Sequence, residues 1–245
     1  MIHRDAVTVV VPHRSAVASL LRLVPRLEGW RVLIVDDSDD GVSVGLPTLR
    51  LGGGRGFAVA ANRGLAALSS PVAILLNDDA LPEGDCLDRL VVAGGLCGPV
   101  LTGPRGVESA GLSVSGWGRV RQRTDVPAQD RTVDALSGAC LLMPSGARFD
   151  ERFPHGFEDV ELCRRLGGAR LVVGARCWHQ GGGTLSRRSA LATQHAVTGQ
   201  ALLYAPGWRT WSVAALHAAQ VLREGGPFAR VGAIVAGVAA SRARR

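Results

Sequence analysis

Apolar positions in the first half of the chain alternate between short unbroken runs and helically spaced ones. Ala6 to Pro12 is a continuous apolar run of strand length, and Ser15 to Leu27 carries Val17, Leu20, Leu21 and Val24 at helical spacing. Arg31 to Val35 reads as a second strand, Phe57 to Leu68 as a helix of small residues, and Val72 to Leu76 as a third strand. Repeated strand–helix–strand units predict a largely parallel sheet covered by helices on both faces, with ligands bound beyond the carboxyl ends of the strands.

From about Gly98 the pattern shifts to strands and loops. Gly98 to Leu101, Ser109 to Ser115 and Ala135 to Met143 read as strands, a helix starts near Glu158, and Ala169 to Val173 is a further strand. Two or three helices follow from Arg188. No segment has a linker's composition and no repeat is visible. The expected organisation is one main domain over residues 1–205, with a nucleotide-type half (1–97) and an acceptor-type half (98–205), then a helical extension over 206–245.

Composition narrows the chemistry. The 245 residues are 47% apolar, ample for a core, and lysine is absent, so the 28 basic residues are all Arg, against 21 acids. Schiff-base, pyridoxal-phosphate and P-loop mechanisms all need a lysine and are excluded. The net charge of +7 suits a nucleotide diphosphate or an anionic membrane surface, although an all-Arg, Ala- and Gly-rich composition also looks like the mark of a GC-rich genome. Aromatic residues are only 4%, which speaks against nucleic acid as a partner. Five cysteines (Cys86, Cys97, Cys140, Cys163, Cys177) stand singly in apolar segments and read as buried, reduced thiols. The expected location is cytoplasmic, because no leader-like segment precedes the first strand and the apolar stretch Val231 to Ala240 is about half of the ~20 residues that span a bilayer.

Two acidic clusters carry most of the chemistry. Asn77, Asp78 and Asp79 follow a buried run directly, where adjacent carboxylates repel unless a cation or solvent compensates; hard oxygen ligands there suit Mg²⁺ or Mn²⁺ bridging a diphosphate. A capped turn is the structural alternative. Glu158 and Asp159 open a helix, where acids complement the macrodipole and where a general base could also stand, behind the aromatic, Gly-bearing loop Phe153 to Phe157. By the dipole alone Asp159 is expected to stay ionised.

Weaker signals surround these clusters. Asp36, the first carboxylate beyond the second strand, could accept from a base imide N–H or a ribose hydroxyl, or the run Asp36 to Asp40 could be a solvated turn. The segment Gly52 to Gly64 fails the dinucleotide register but carries Arg55 into a small-residue helix with Asn62 on it. His179 precedes a glycine loop and is a candidate metal or phosphate contact, and Trp117 and Trp178 could stack on a sugar or belong to the core.

Taken together, Val7 to Pro12, Val35-Asp36-Asp37, Gly56-Phe57-Ala58 with Asn62 and Gly64, Leu75 to Ala80, Ser137 to Cys140, Phe149 to Phe153 with Glu158 to Cys163, and His179 with its glycines occur in the order seen in family 2 glycosyltransferases. The sequence resembles the rhamnosyltransferase-like branch most, over about residues 6 to 185. The resemblance implies a GT-A (Rossmann-like) α/β three-layer sandwich, a mostly parallel central sheet with C-terminal helices, and inverting, metal-dependent transfer from a nucleotide-diphospho-sugar, such as a dTDP- or UDP-deoxyhexose. By that match Pro12, Asp36, Arg55, Asn62, Asn77 and Asp78 would bind the donor, Asp79 with His179 would hold Mg²⁺ or Mn²⁺, and Asp159, supported by Glu158, would be the catalytic base. Gly138, Ala139, Phe157 and Trp178 would form the acceptor side, for a glycan, lipid-linked or small-molecule acceptor.

Two departures from the family pattern are visible: Pro12-His13-Arg14-Ser15 replaces a Thr-Tyr-Asn-like turn, and the acidic turn after Asp36 is shortened before Gly41. A sugar-phosphate nucleotidyltransferase is the alternative enzyme, but the Gly-rich basic loop expected after the first strand is missing. A degenerate nucleotide- or glycan-binding module is the alternative outside enzymes. The segment from Trp208 to Arg245 could dock on anionic lipid, pair with a second copy or cover the domain.

Overall fold

The computed structural model describes residues 3–15, 17–116, 119–153, 155–180, 190–204, 208–223 and 228–244. Trp117, Pro154, the glycines 181–183 and Arg245, singled out above, lie outside the described residues. In chain order the elements are β1 (Val7–His13), α1 (Val17–Leu23), β2 (Arg31–Asp36), β3 (Thr48–Arg50), α2 (Phe57–Ala66), β4 (Val72–Leu76), β5 (Ala80–Pro82), α3 (Cys86–Ala93) and β6 (Cys97–Gly103). They continue with β7 (Gly106–Ser109), β8 (Leu112–Val114), β9 (Val120–Gln122), β10 (Arg131–Val133), β11 (Cys140–Met143), α4 (Glu158–Arg165), β12 (Ala169–His179), α5 (Ala190–Tyr204), α6 (Trp208–Arg223) and α7 (Phe228–Ala243).

The main sheet runs β10-β12-β6-β11-β4-β1-β2-β3, with β5 on β12 and β7 on β6. Its first half is parallel (β4, β1, β2, β3), as the strand–helix alternation predicts. Its second half is mixed, because β11 enters antiparallel between β4 and β6 while β6 and β12 run parallel to each other. Strands buried on both faces need not alternate polar and apolar, and this explains the unbroken runs. Val9, Ile74 and Leu76 face a core under α1 and α3, whereas Val10, Leu75 and Leu141 face a second core under α2 and α4. The small residues of α2 let it approach closely: a Cβ at Gly64 would stand 2.5 Å from Val10 and 2.6 Å from Val35.

Several elements differ from the pattern-based reading. Ala135 to Met143 is a strand only from Cys140, because Leu112 pairs with Ala135 in an isolated bridge and residues 137–139 turn toward the acidic clusters. Ser109 to Ser115 splits into β7 and β8 around Gly111, whose φ of 97° interrupts the extended backbone. The strand at Ala169 extends to His179 across a register shift between Val172 and Arg176. α3 was not expected, yet its buried Cys86, Leu87, Leu90 and Val91 have helical spacing.

The five cysteines are free and buried, as expected. After the sheet, α5, α6 and α7 share a small core of Val197, Val213, Val221, Ile234 and Val238. The boundary expected at 205/206 falls between α5 and α6, inside this helical unit. Among the described residues no helix is long and apolar enough to cross a membrane.

Candidate active site

The carboxyl ends of β1 and β4 and the N-terminus of α4 surround a cleft of about 710 Å³. That volume suits a ligand of nucleotide-sugar size. On one wall the Asn77–Asp79 turn is pinned from three sides. The Asn77 amide donates to the Ala139 carbonyl (2.9 Å), the Ala80 amide closes the turn on Asn77, and the Gln180 amide reaches the Asp79 carbonyl (3.1 Å).

Each of the two carboxylates of this turn has its own histidine partner. Asp78 lies 2.7 Å from Nδ1 of His13, a 2% exposed side chain at the end of β1. Asp79 lies 3.4 Å from Nε2 of His179, whose Nδ1 is 3.0 Å from Glu108 on β7. Burial works to lower the His179 pKa, but hydrogen bonds and charge from Asp79 and Glu108 overcome it and raise it to about 10. Its imidazolium supplies the positive charge between these two acids.

The donor set can be tested for a divalent cation. Asp79 offers a hard oxygen and His179 a nitrogen only after a metal displaces its Nε2 proton, at a spacing close to that of two neighbouring ligands on one ion, while Glu108 orients the imidazole through its other nitrogen. Among the described residues no group of three or more His, Cys, Asp or Glu side chains is arranged to hold an ion. Asp79 and His179 therefore fit Mg²⁺ or Mn²⁺ only as a partial site, and diphosphate oxygens and water would have to complete it.

Across the cleft, α4 presents Glu158 and Asp159 in its first turn. The chain arrives through Phe157 at φ 72°, the one non-glycine residue with positive φ among the described residues. Such a backbone is costly for an aromatic residue. Packing compensates: a Cβ at Gly199 of α5 would come within 2.8 Å of Phe157 Cδ2, so only glycine there admits the ring. Asp159 accepts from the Gly138 amide (2.9 Å) and the Val160 amide (2.8 Å). Burial nevertheless pushes its pKa above the ordinary carboxylate value, against the expectation that the dipole alone would set its state. Glu158 is buried, its Oε2 has no hydrogen-bond partner among the described residues, and burial together with the Asp159 charge raises its pKa to about 8.

Not every residue marked out in the sequence reaches the cleft. Pro12, Asn77, Asp78, Asp79, Gly138, Ala139, Glu158, Asp159 and His179 line it. Asp36 does not: its two oxygens accept from the Ser38 hydroxyl and amide and from the Val42 amide, closing its own turn. Burial works to raise the Asp36 pKa, but these bonds hold it below its ordinary value. The neighbour Asp37 lines the cleft instead and accepts from the Arg55 and Gly56 amides (2.9 Å each), which fixes the glycine loop ahead of α2.

Arg55 is exposed outside the lining, and Arg14, from the atypical turn after β1, is the arginine at the cleft. Asn62 clamps α2 to the 149–151 segment, donating to the Phe149 carbonyl and Glu151 and accepting from the Phe149 amide. Phe157 packs on α5, and Trp178, next to His179 on β12, is turned away by strand alternation.

The acceptor wall is completed by His155, from the Phe153 to Phe157 loop marked out in the sequence, and by His195, which the sequence reading missed. His155 and His195 line it with ring centroids 6.0 Å apart, and burial lowers both pKa values, so both rings are neutral near pH 7. His195 Nδ1 is buried without a hydrogen-bond partner among the described residues. An isolated His on a helix carries no signal in sequence.

Comparison with known proteins adds independent findings. No known protein-family profile matches the chain. It is 34% identical over 195 residues to the pre-mycofactocin glycosyltransferase of Mycobacterium tuberculosis (strains CDC 1551 and H37Rv), a match covering 69% of this chain and 41% of that relative. The chain thus spans about two-fifths of the length of these curated relatives. Among solved structures, GalNAc-T7 with UDP, GalNAc and Mn²⁺ is similar with a TM-score of 0.62 and 12% identity, covering 80% of this chain and 47% of that one. The mannosyltransferase PcManGT from Pyrobaculum calidifontis, in complex with GDP-Man and Mn²⁺, is similar with a TM-score of 0.55 and 17% identity, covering 98% and 76%. The architecture is the GT-A fold.

Proposed function

We propose that the chain transfers a glycosyl group from a nucleotide-diphospho-sugar to an acceptor hydroxyl, with inversion at the anomeric carbon. The observation that carries this reading is that Asp159 and the Asn77–Asp79 turn line one cleft and are joined through Gly138 and Ala139. An inverting displacement needs those two things: a base on the acceptor side and charge neutralisation on the leaving side. The relatives named glycosyltransferases, and GT-A neighbours solved with UDP and GalNAc or with GDP-Man, support glycosyl transfer; inversion rests on the resemblance and on the site's carboxylates.

Asp159 takes the acceptor proton. Each of its oxygens accepts one amide hydrogen and keeps a further lone pair for the hydroxyl, and its raised pKa makes it a stronger base than an exposed aspartate. Glu158, protonated below about pH 8, adds no competing negative charge and can donate a hydrogen bond to the acceptor. On the donor side the His13 imidazole and the Asp37-bound loop form the wall for the nucleoside, and Arg14 faces the phosphates. Asp79, and His179 once its Nε2 proton is displaced, would hold a divalent cation, which would supply Lewis-acid stabilisation of the leaving diphosphate. The resemblance to rhamnosyltransferase-like sequences makes a dTDP-deoxyhexose the first donor to try.

Thermal stabilisation by nucleoside diphosphates, with and without Mn²⁺, tests the donor assignment. Stabilisation by dTDP or UDP that depends on Mn²⁺ supports it. A preference for GDP over both pyrimidine nucleotides would overturn the pyrimidine donor, and no response to any nucleotide would overturn the reading itself.

A further inference from the structure

We propose that the outer face of the α6–α7 hairpin docks on an anionic phospholipid bilayer. On α6, Trp211, Ala215 and Leu222 follow one another at helical spacing on the exposed side, with Trp211 56% and Leu222 74% exposed. On α7, Val231 (39% exposed), Val235 (64%) and Arg242 form an equivalent line. The two lines face the same way, because the Arg242 guanidinium lies over the Trp211 ring, 5.3 Å from its centroid. The opposite sides of these helices are already used: Val213, Val221, Ile234 and Val238 pack with Val197 of α5.

Charge selects the occupant. Residues 187–245 hold eight arginines and one acid, Glu224, a net charge of +7, whereas residues 1–186 hold twenty arginines and twenty acids. The whole excess charge of the chain therefore lies in the segment that carries the apolar face. Arg223, Arg242 and Arg244 are exposed beside it. An apolar stripe with exposed arginines at its ends and no acid on the described parts of α6 and α7 is the pattern of a helix lying in an anionic interface, where headgroups take the cations and acyl chains take Trp and Leu. A neutral protein partner would leave that charge unmatched. Neither helix is long and apolar enough to cross the bilayer, so they lie on it.

The face is coupled to the cleft. α5 contributes Leu191 and His195 to the acceptor wall and packs along α7 at Gly237, where a Cβ would stand 2.8 Å from both the Gln194 carbonyl and Val197. One helical unit thus carries both the docking face and part of the acceptor side. This last point rests on the proposed transferase reading and makes a hydroxyl presented at the bilayer surface the acceptor class to test.

Cosedimentation of the full chain with phosphatidylcholine vesicles, with and without phosphatidylglycerol, tests the proposal. Binding should require the anionic lipid and fade with added salt. It should weaken at least about tenfold in Arg223→Glu/Arg242→Glu. A loss of about tenfold is also expected in Trp211→Ser/Leu222→Ser, which removes apolar contact from exposed positions. Circular dichroism and nucleotide-induced thermal stabilisation should be unchanged in both variants, so docking and donor binding are read separately. Equal binding to neutral and anionic vesicles, or full binding by both variants, would overturn the proposal. So would a dimer that Trp211→Ser/Leu222→Ser dissolves while the wild type ignores vesicles, which would assign the face to a second copy.

Discussion

His13 Nδ1 stands 2.7 Å from the Asp78 carboxylate, and this contact ties the end of β1 to the acidic turn after β4. One member of the pair is buried and the other is 16% exposed, so removing either leaves the other poorly solvated. Replacing His13 by Ala should lower stability by about 1–3 kcal/mol in urea denaturation. It should also weaken nucleoside diphosphate binding. Unchanged affinity and stability would remove the pair from the site.

Asp79→Ala should abolish the Mn²⁺ dependence of nucleoside diphosphate affinity while circular dichroism stays native. Glu108→Gln keeps the size of the side chain that holds His179 Nδ1, 3.0 Å away, but weakens its orientation. Mn²⁺ affinity in the presence of the nucleotide should fall by about tenfold, the lower end of the effect of removing a group that holds a metal-ligating imidazole in place. Calorimetry that gives equal affinities in EDTA and in Mn²⁺ for the wild type would contradict both expectations.

Gly64→Ala offers a test of sign. In an exposed helix this change stabilises by up to about 1 kcal/mol. Here the new methyl meets Val10 and Val35 at 2.5 and 2.6 Å, so overpacking should destabilise by about 1–3 kcal/mol. A urea midpoint that rises would mean α2 stands further from the sheet than described.

The buried carboxyl of Glu158 ties stability to pH. Its folded pKa of about 8 lies above the ordinary 4.5, so the folded state binds the proton more tightly than the unfolded one. The associated stability is complete below about pH 4.5 and is lost as pH rises through about 8. Glu158→Gln should flatten this decline. Denaturation at acid, neutral and mildly alkaline pH compares the two proteins, and parallel curves would contradict the buried, neutral Glu158.

The parallel half of the fold was legible because strands covered on both faces, such as β1 and β4, read as unbroken apolar runs between turn signals. The acidic ends of those strands were equally visible. Which of two adjacent carboxylates faces the cleft was not, since Asp36 and Asp37 differ only in the loop amides they accept, supplied from Ser38 and Val42 in one case and from Arg55 and Gly56 in the other. Trp178 and His179 posed the same problem, settled by the register of β12 against β5. The run Ala135 to Met143 misled because burial, not extension, was its signal: the Gly138 amide is spent on Asp159 and the Ala139 carbonyl on Asn77. Glu108 and His195 meet the site only through tertiary packing and leave no trace in local sequence.

Turnover of a nucleotide-sugar by Asp159→Asn and Glu158→Gln tests the assignment of the base most directly. Asn keeps the shape of Asp159 and an oxygen for one amide but cannot take a proton, so transfer should fall by about 10²–10⁴-fold. Donor affinity, measured separately by calorimetry, should barely change, and Glu158→Gln should retain more activity than Asp159→Asn. Near-normal turnover by Asp159→Asn with an inactive Glu158→Gln would move the base by one residue, and full activity in both would contradict the α4 carboxyls as the catalytic site.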